Sequence, residues 1–201
     1  MSNPRLIMNL LKLDLERSAR YHNMRGHFLR KRHTFLMALI IAIGGTSVFG
    51  LADFIAKAVV SLGTFAPQLD LSWFDSDTAS TLIGIAIAGL GSYDLLGGFS
   101  TSAAEHLSFE RAYNDMLAEA NQLDETDTEA LKRLKFRADA ISMTSEGMYR
   151  VINALAHNQV MVSHGYKNHK LKVNRIYAFF ANYALFSGTN FSKDDLPTSK
   201  P

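Results

Sequence analysis

Apolar residues in this chain are gathered into runs. Thr34 to Ala52 is 19 residues without a charge, and Thr78 to Ala104 holds a single one, Asp94. At about 1.5 Å of rise per residue, a helix over either stretch covers roughly the hydrocarbon thickness of a bilayer. The pattern predicts two membrane spans, at about 34–53 and 79–100. The first is favoured by several kcal/mol of apolar transfer with nothing to oppose it; the second loses about 2.5 to 3.5 kcal/mol if Asp94 sits at mid-membrane. The alternative is a pair of buried helices in a soluble protein, but 201 residues offer little core in which to bury two.

Elsewhere the apolar positions follow helical spacing. Asn3 and Pro4 read as an N-cap and first helical position, and Leu6, Leu10, Leu13 and Arg17, with Ile7 and Leu11 beside them, predict an amphipathic helix leading to residue 33. Phe109, Tyr113, Met116, Ala120 and Leu123 step by four and three, as in a coiled-coil seam or an intramolecular bundle. Thr126 and Glu129 form a capping box opening a basic helix over about 127–142. A further helix is expected after Ser145, carrying Met148, Val151, Ile152 and Leu155 to a stop at Gly165. Ile176 to Phe186 is an aromatic run behind Lys167, Lys170, Lys172 and Arg175, too short for a third span. It is expected to pack on the first helix, the alternative being to lie on the anionic inner leaflet. Residues 191–201 are expected to be disordered.

The fold class is therefore an all-α membrane protein with two transmembrane helices, an amphipathic N-terminal helix and a helical cytoplasmic cap. Its parts are a basic cytoplasmic helix over 1–33, a hairpin over 34–104 with an outside connection over 54–78, and a cytoplasmic helical region over 105–190. Phe54 to Phe65 is mainly apolar, and Trp73 and Phe74 precede the second span as an interfacial belt or as ordinary loop packing.

Charge orients the hairpin. Residues 1–33 carry eight Lys or Arg against two acids and end in Arg30, Lys31 and Arg32, whereas 53–77 has Lys57 alone. The positive-inside rule puts both termini in the cytoplasm and the connection outside. About thirty polar and basic residues precede the first apolar run, which argues against a cleavable signal. The absence of cysteine excludes a disulfide scaffold and a thiolate metal site.

Small residues form ladders on both spans. Ala38, Ala42, Thr46 and Gly50 recur every four residues on the first, and Ser80, Gly84, Ala88, Gly91 and Gly98 lie on one side of the second. Such faces let helix backbones approach closely in lipid. One ladder each suffices for a hairpin, and the surplus of Gly44, Gly45, Ser47 and Gly89 favours homo-oligomerisation. Asp94 lies on or beside the small face with no Lys or Arg in either span to pair with it. It must be protonated, hydrated or near a membrane face, and in a ring of subunits it would favour cations at a pore.

Enzyme signals are absent: Gly89-Leu90-Gly91 lacks the rest of a dinucleotide loop, and Ser47 is not in a nucleophile elbow. His22/His27 and His164/His169 are five apart, which does not place a pair on one helical face, so no metal or other cofactor is expected. Residues 105–201 hold twelve bases and twelve acids, which argues against nucleic acid as a partner and leaves the lipid bilayer.

The order of RYHNMRGHFLRKRH from Arg20, two small-residue-rich spans, AAEHLSFERAYNDML from Ala103, and RADAISMTSEGMYRVINALAHNQ from Arg137 resembles the SLATT family over roughly residues 10–165. These are two-transmembrane effectors associated with SMODS nucleotidyltransferases and SLOG sensors in bacterial conflict systems. The resemblance implies an oligomeric pore that depolarises or permeabilises the inner membrane when triggered, beside a nucleotide-sensing or nucleotide-making partner protein. Alternatives are a membrane-anchored scaffold whose cytoplasmic helices recruit a partner, and a holin-like lysis protein.

Overall fold

The computed structural model describes residues 4–48, 50–65, 74–124, 127–144, 148–183, 186 and 191. They form seven α-helices among the described residues: α1 Pro4–Val48, α2 Leu51–Phe65, α3 Ser76–Gly97, α4 Phe99–Gln122, α5 Thr128–Thr144, α6 Arg150–Ser163 and α7 Arg175–Phe180, with a short 3-10 helix at Lys167–His169. The chain divides into two compact units, Met1–Phe28 with Ser102–Pro201 and Leu29–Thr101.

In the first unit the seam on α4 is real and intramolecular. Tyr113, Met116 and Ala120 are buried with Met8, Leu15 and Ala19 of α1 and Leu131, Leu134 and Ala138 of α5, while Phe109 and Leu123 are partly buried against them. The Tyr113 hydroxyl donates to the carbonyl of Ala138 at 3.3 Å and lies 3.2 Å from Ser142 Oγ, so the ring enters the core without stranding its polar tip. Gly26 lets α4 come close, since a Cβ there would lie 3.0 Å from Leu107 Cγ and 3.3 Å from the carbonyl of Ala103.

The face α1 buries overlaps the expected stripe only at Leu11. Leu6, Ile7 and Leu10 are exposed, and the register Met8, Leu15, Ala19, with Leu11 packed against it, faces α4 and α5. Leucines occur on every side of this segment, so spacing alone could not choose among them. Asp127 precedes α5, and the backbone N–H of Ala130 donates to its carboxylate at 3.0 Å. Asn3, Thr126, Ser145, Trp73 and residues 192–201 lie outside the described residues.

Helix α6 begins at Arg150, which leaves Met148 before it and exposed. Its Val151, Ile152 and Ala156 bury against Tyr21 and Ala181, and Leu155 packs alongside. The helix stops at the expected place: Gly165 takes φ +78°, its N–H donates to Val162 O, and Tyr166 N–H donates to Met161 O at 2.7 Å, the pair of bonds of a Schellman cap.

In the second unit the expected first span is not one straight helix. Helix α1 ends at Val48, Gly50 takes φ +83°, and α2 opens at Leu51. Only glycine adopts that backbone without strain, which explains why an uncharged stretch is interrupted. Part of the expected connection is therefore helical, and α2 buries Ala52 and Ala56 in one cluster with Ala79 and Ile83 of α3. His33 meets Asp94, a Cβ on Gly44 would meet Ile87 at 3.7 Å, and the α2 cluster lies near the start of α3, so α1 and α2 in turn run antiparallel to α3. Asp75 caps α3 by accepting from Thr78 N–H at 2.8 Å.

Among the described residues one helical run, within Ser76–Gln122, is long and apolar enough to cross a membrane, and only 11% of its apolar window is buried. A second such helix is not found among them. Leu134→Ala should cost about 2–5 kcal/mol of stability in denaturant unfolding, by loss of transfer energy and creation of a cavity. Phe136→Ala, at an exposed position two residues away, should change stability by no more than about 0.5 kcal/mol.

Candidate functional site

Within the second unit, His33 of α1 places Nδ1 2.9 and 3.0 Å from the two carboxylate oxygens of Asp94, which is 8% exposed. A buried carboxylate needs a donor, and the ring reaches both oxygens. Beside it, Arg32 donates to the Tyr93 hydroxyl, and its guanidinium lies 4.2 Å from the Phe99 ring centre and 5.2 Å from that of Tyr93. The Phe99 ring folds back over Gly97, where a side chain would leave it no room. Arg32 and His33 thus clasp Tyr93, Asp94 and Phe99, and cation–π contact adds to hydrogen bonding.

Asp94 is turned inward, on the side of α3 that carries Ala79 and Ile83. The small residues lie on another side. Ser80, Gly84 and Ala88 are exposed, Gly91 is half-buried, and a Cβ at Gly84 or Gly91 would have no neighbour within 4 Å. The α3 ladder is therefore not what holds the hairpin together; Ala79, Ile83 and Ile87 do that. Gly98 instead caps α3 at φ +55°. On α1, Ala38 and Ala42 are exposed, Thr46 belongs to the same helix, and Gly50 forms the break before α2. Arg30 and Lys31 are exposed, and Arg32 serves the clasp.

The first unit holds a second polar cluster. His22 Nδ1 and His106 Nδ1 lie 2.8 Å apart, the rings 3% and 7% exposed. The His22 ring stacks on Tyr113 and meets Phe109 edge-on. Such a contact needs one ring to donate and the other to accept, which a neutral pair does and a doubly protonated pair cannot. Burial pushes both histidines down from 6.5 to about 4, helped at His22 by the charge of His106 and at His106 by Arg25. Arg25 lies 3.9 Å from the Tyr149 ring centre and donates to the Asn182 carbonyl at 2.6 Å. Glu110 on α4 accepts from Asn23 at 2.6 Å.

The same unit has an open groove of about 990 Å³, with Leu10, Leu13 and Arg17 of α1 on one wall and Asn153, His157 and Met161 of α6 on the other. Part of the expected N-terminal stripe faces this groove.

Neither histidine contact follows from spacing in the sequence. His33 and Asp94 are 61 positions apart and His22 and His106 are 84 apart, so only helix packing brings them together. A usable signal was a lone acid in an apolar stretch and a histidine bordering the other. Among the described residues no group of three or more His, Asp or Glu side chains is placed to hold a metal.

His22 and His106 bind protons more weakly folded than unfolded, so the stability they protect is whole above about pH 6.5 and is lost as pH falls toward about 4. The loss should be about 2–3 kcal/mol for each histidine. Denaturant unfolding at pH 7 and pH 4.5 measures it, and a His22→Phe/His106→Leu chain should show a much flatter dependence. No protein-family model matches the chain, and comparison with curated proteins and with solved structures gives no significant match.

Proposed function

We propose that this protein is a membrane-embedded, homo-oligomeric pore-forming effector that permeabilises or depolarises a bacterial inner membrane when triggered. The observation that carries this reading is the condition of α3. The apolar window of the Ser76–Gln122 run to which it belongs is only 11% buried, so it is not the core helix of this chain, and Ser80, Gly84 and Ala88 lie on its exposed side. In lipid such a face is where a second helix comes closest. The layout likeness to SLATT effectors supports the same reading and supplies the conflict-system setting and a nucleotide-sensing or nucleotide-making partner.

In this proposal α3 faces sister copies through Ser80, Gly84, Ala88 and Gly91, while the His33–Asp94 clasp fixes α3 against α1. Arg30, Lys31 and Arg32 hold their end of the hairpin at the cytoplasmic side. The clasp occupies both carboxylate oxygens within each subunit, so Asp94 acts on the pore by holding α3 in register. The groove bordered by Leu10, Leu13 and Met161 favours a second reading, a membrane-tethered scaffold that recruits a partner to its cytoplasmic helices.

Because a Cβ at Gly84 or Gly91 meets nothing inside the chain, leucine at either should leave the subunit folded and block assembly. Native mass measurement in detergent reads the oligomer, and collapse of membrane potential on expression reads the pore. Both should be lost together in Gly84→Leu. An unchanged oligomer would remove the small face from the interface, and assembly without depolarisation would favour the scaffold. His33→Ala should weaken the hairpin by about 1–3 kcal/mol by leaving Asp94 without its donor, and His33→Ala/Asp94→Leu should recover part of that loss.

A further inference from the structure

Helix α7 turns its apolar side outward. Ile176, Phe179, Phe180 and Tyr183 fall at i, i+3, i+4 and i+7 and are 63%, 74%, 46% and 60% exposed. The opposite side faces the unit: Ala181 is buried beside Tyr21, Val151 and Ile152, and the Asn182 carbonyl accepts from Arg25 at 2.6 Å. A short helix in a water-facing domain buries its large residues and exposes its small ones. Here the order is reversed, while Phe28 against Tyr183 and Tyr177 against Phe186 hold the segment in place.

The surrounding charge indicates what covers this stripe. Lys167, Lys172 and Arg175 are exposed just before it, with Lys170 half-buried. In the sequence there is no Asp or Glu from Gly147 to Lys193. A second copy would bring the same positive charge against it, whereas an anionic surface is attracted. Aromatic rings beside Lys and Arg are the composition of segments that lie at the boundary of headgroups and acyl chains.

We propose that Ile176, Phe179, Phe180 and Tyr183 enter the interface of an anionic lipid leaflet, with Lys167, Lys170, Lys172 and Arg175 over its headgroups. This contact is separate from the small-residue face of α3 and does not require that α3 assemble.

The test uses the full chain with vesicles of phosphatidylcholine alone or containing phosphatidylglycerol, followed by amide hydrogen exchange over residues 175–183. Phosphatidylglycerol should slow exchange there by about tenfold or more, and Lys170→Gln/Lys172→Gln/Arg175→Gln should abolish the difference. In a Trp73→Phe chain, Phe179→Trp should be quenched by brominated phosphatidylglycerol. Position 179 is exposed, so this probe leaves the fold in place. Equal exchange with both vesicles together with an unquenched Trp would overturn the proposal. Protection that instead grows with protein concentration in detergent would identify a second copy as the occupant and overturn it equally. Loss of depolarisation on expression bears on the pore alone, so the two readings fail separately.

Discussion

A carboxylate held away from water must find a donor, and at Asp94 that donor is His33. The contact sets the register of the second unit. Once position 33 of α1 is opposite position 94 of α3, Gly44 falls beside Ile87, and Ala52 and Ala56 meet Ala79 and Ile83 beyond the break at Gly50. Apolar packing is non-directional, while a buried carboxylate that loses its donor costs more than a methyl group out of place. The polar pair selects among the arrangements that apolar packing permits.

The first unit solves the same problem differently. His22 and His106 answer each other as neutral rings, and Arg25 is held by the face of Tyr149 and a backbone carbonyl. These groups lie beside an ordinary aliphatic core of α1, α4 and α5, and most of their polar atoms find local partners, although Arg25 Nε and Asn153 Oδ1 are buried without a hydrogen bond. The larger uncovered surfaces are apolar: the outer sides of α3 and of α7. Large unpartnered apolar surface in water favours association, and the proposals for a pore and for a lipid-docked α7 each assign such a surface an occupant.

Much of the helical layout was legible. The step of four and three over Phe109 to Leu123 marks a single buried face because no other register of that segment collects so many large residues, and Gly165 marks a helix end because the residue after a helix favours a left-handed backbone. The stripe through Leu6, Leu10 and Leu13 was misleading, since leucine surrounds that part of α1 and the choice of Met8 and Leu15 belongs to α4 and α5. For the tail, packing on the first helix is correct for Ala181, Asn182 and Tyr183, which meets Phe28, and Phe186 packs against the cluster around Tyr21, whereas Ile176, Phe179 and Phe180 face outward.

From its sequence alone this protein was determined to be helical, with an apolar stretch around Asp94 that admits almost no charge and a strongly basic N-terminal segment. These follow from composition and period, which act within one helix and are written in neighbouring residues. Only the tertiary structure decided that Asp94 turns from the glycine side toward His33, that Gly50 divides the first apolar run, and that α7 points its rings outward. Each of those depends on which face of one helix meets another, and contacts across 61 or 84 positions leave no periodic trace along the chain.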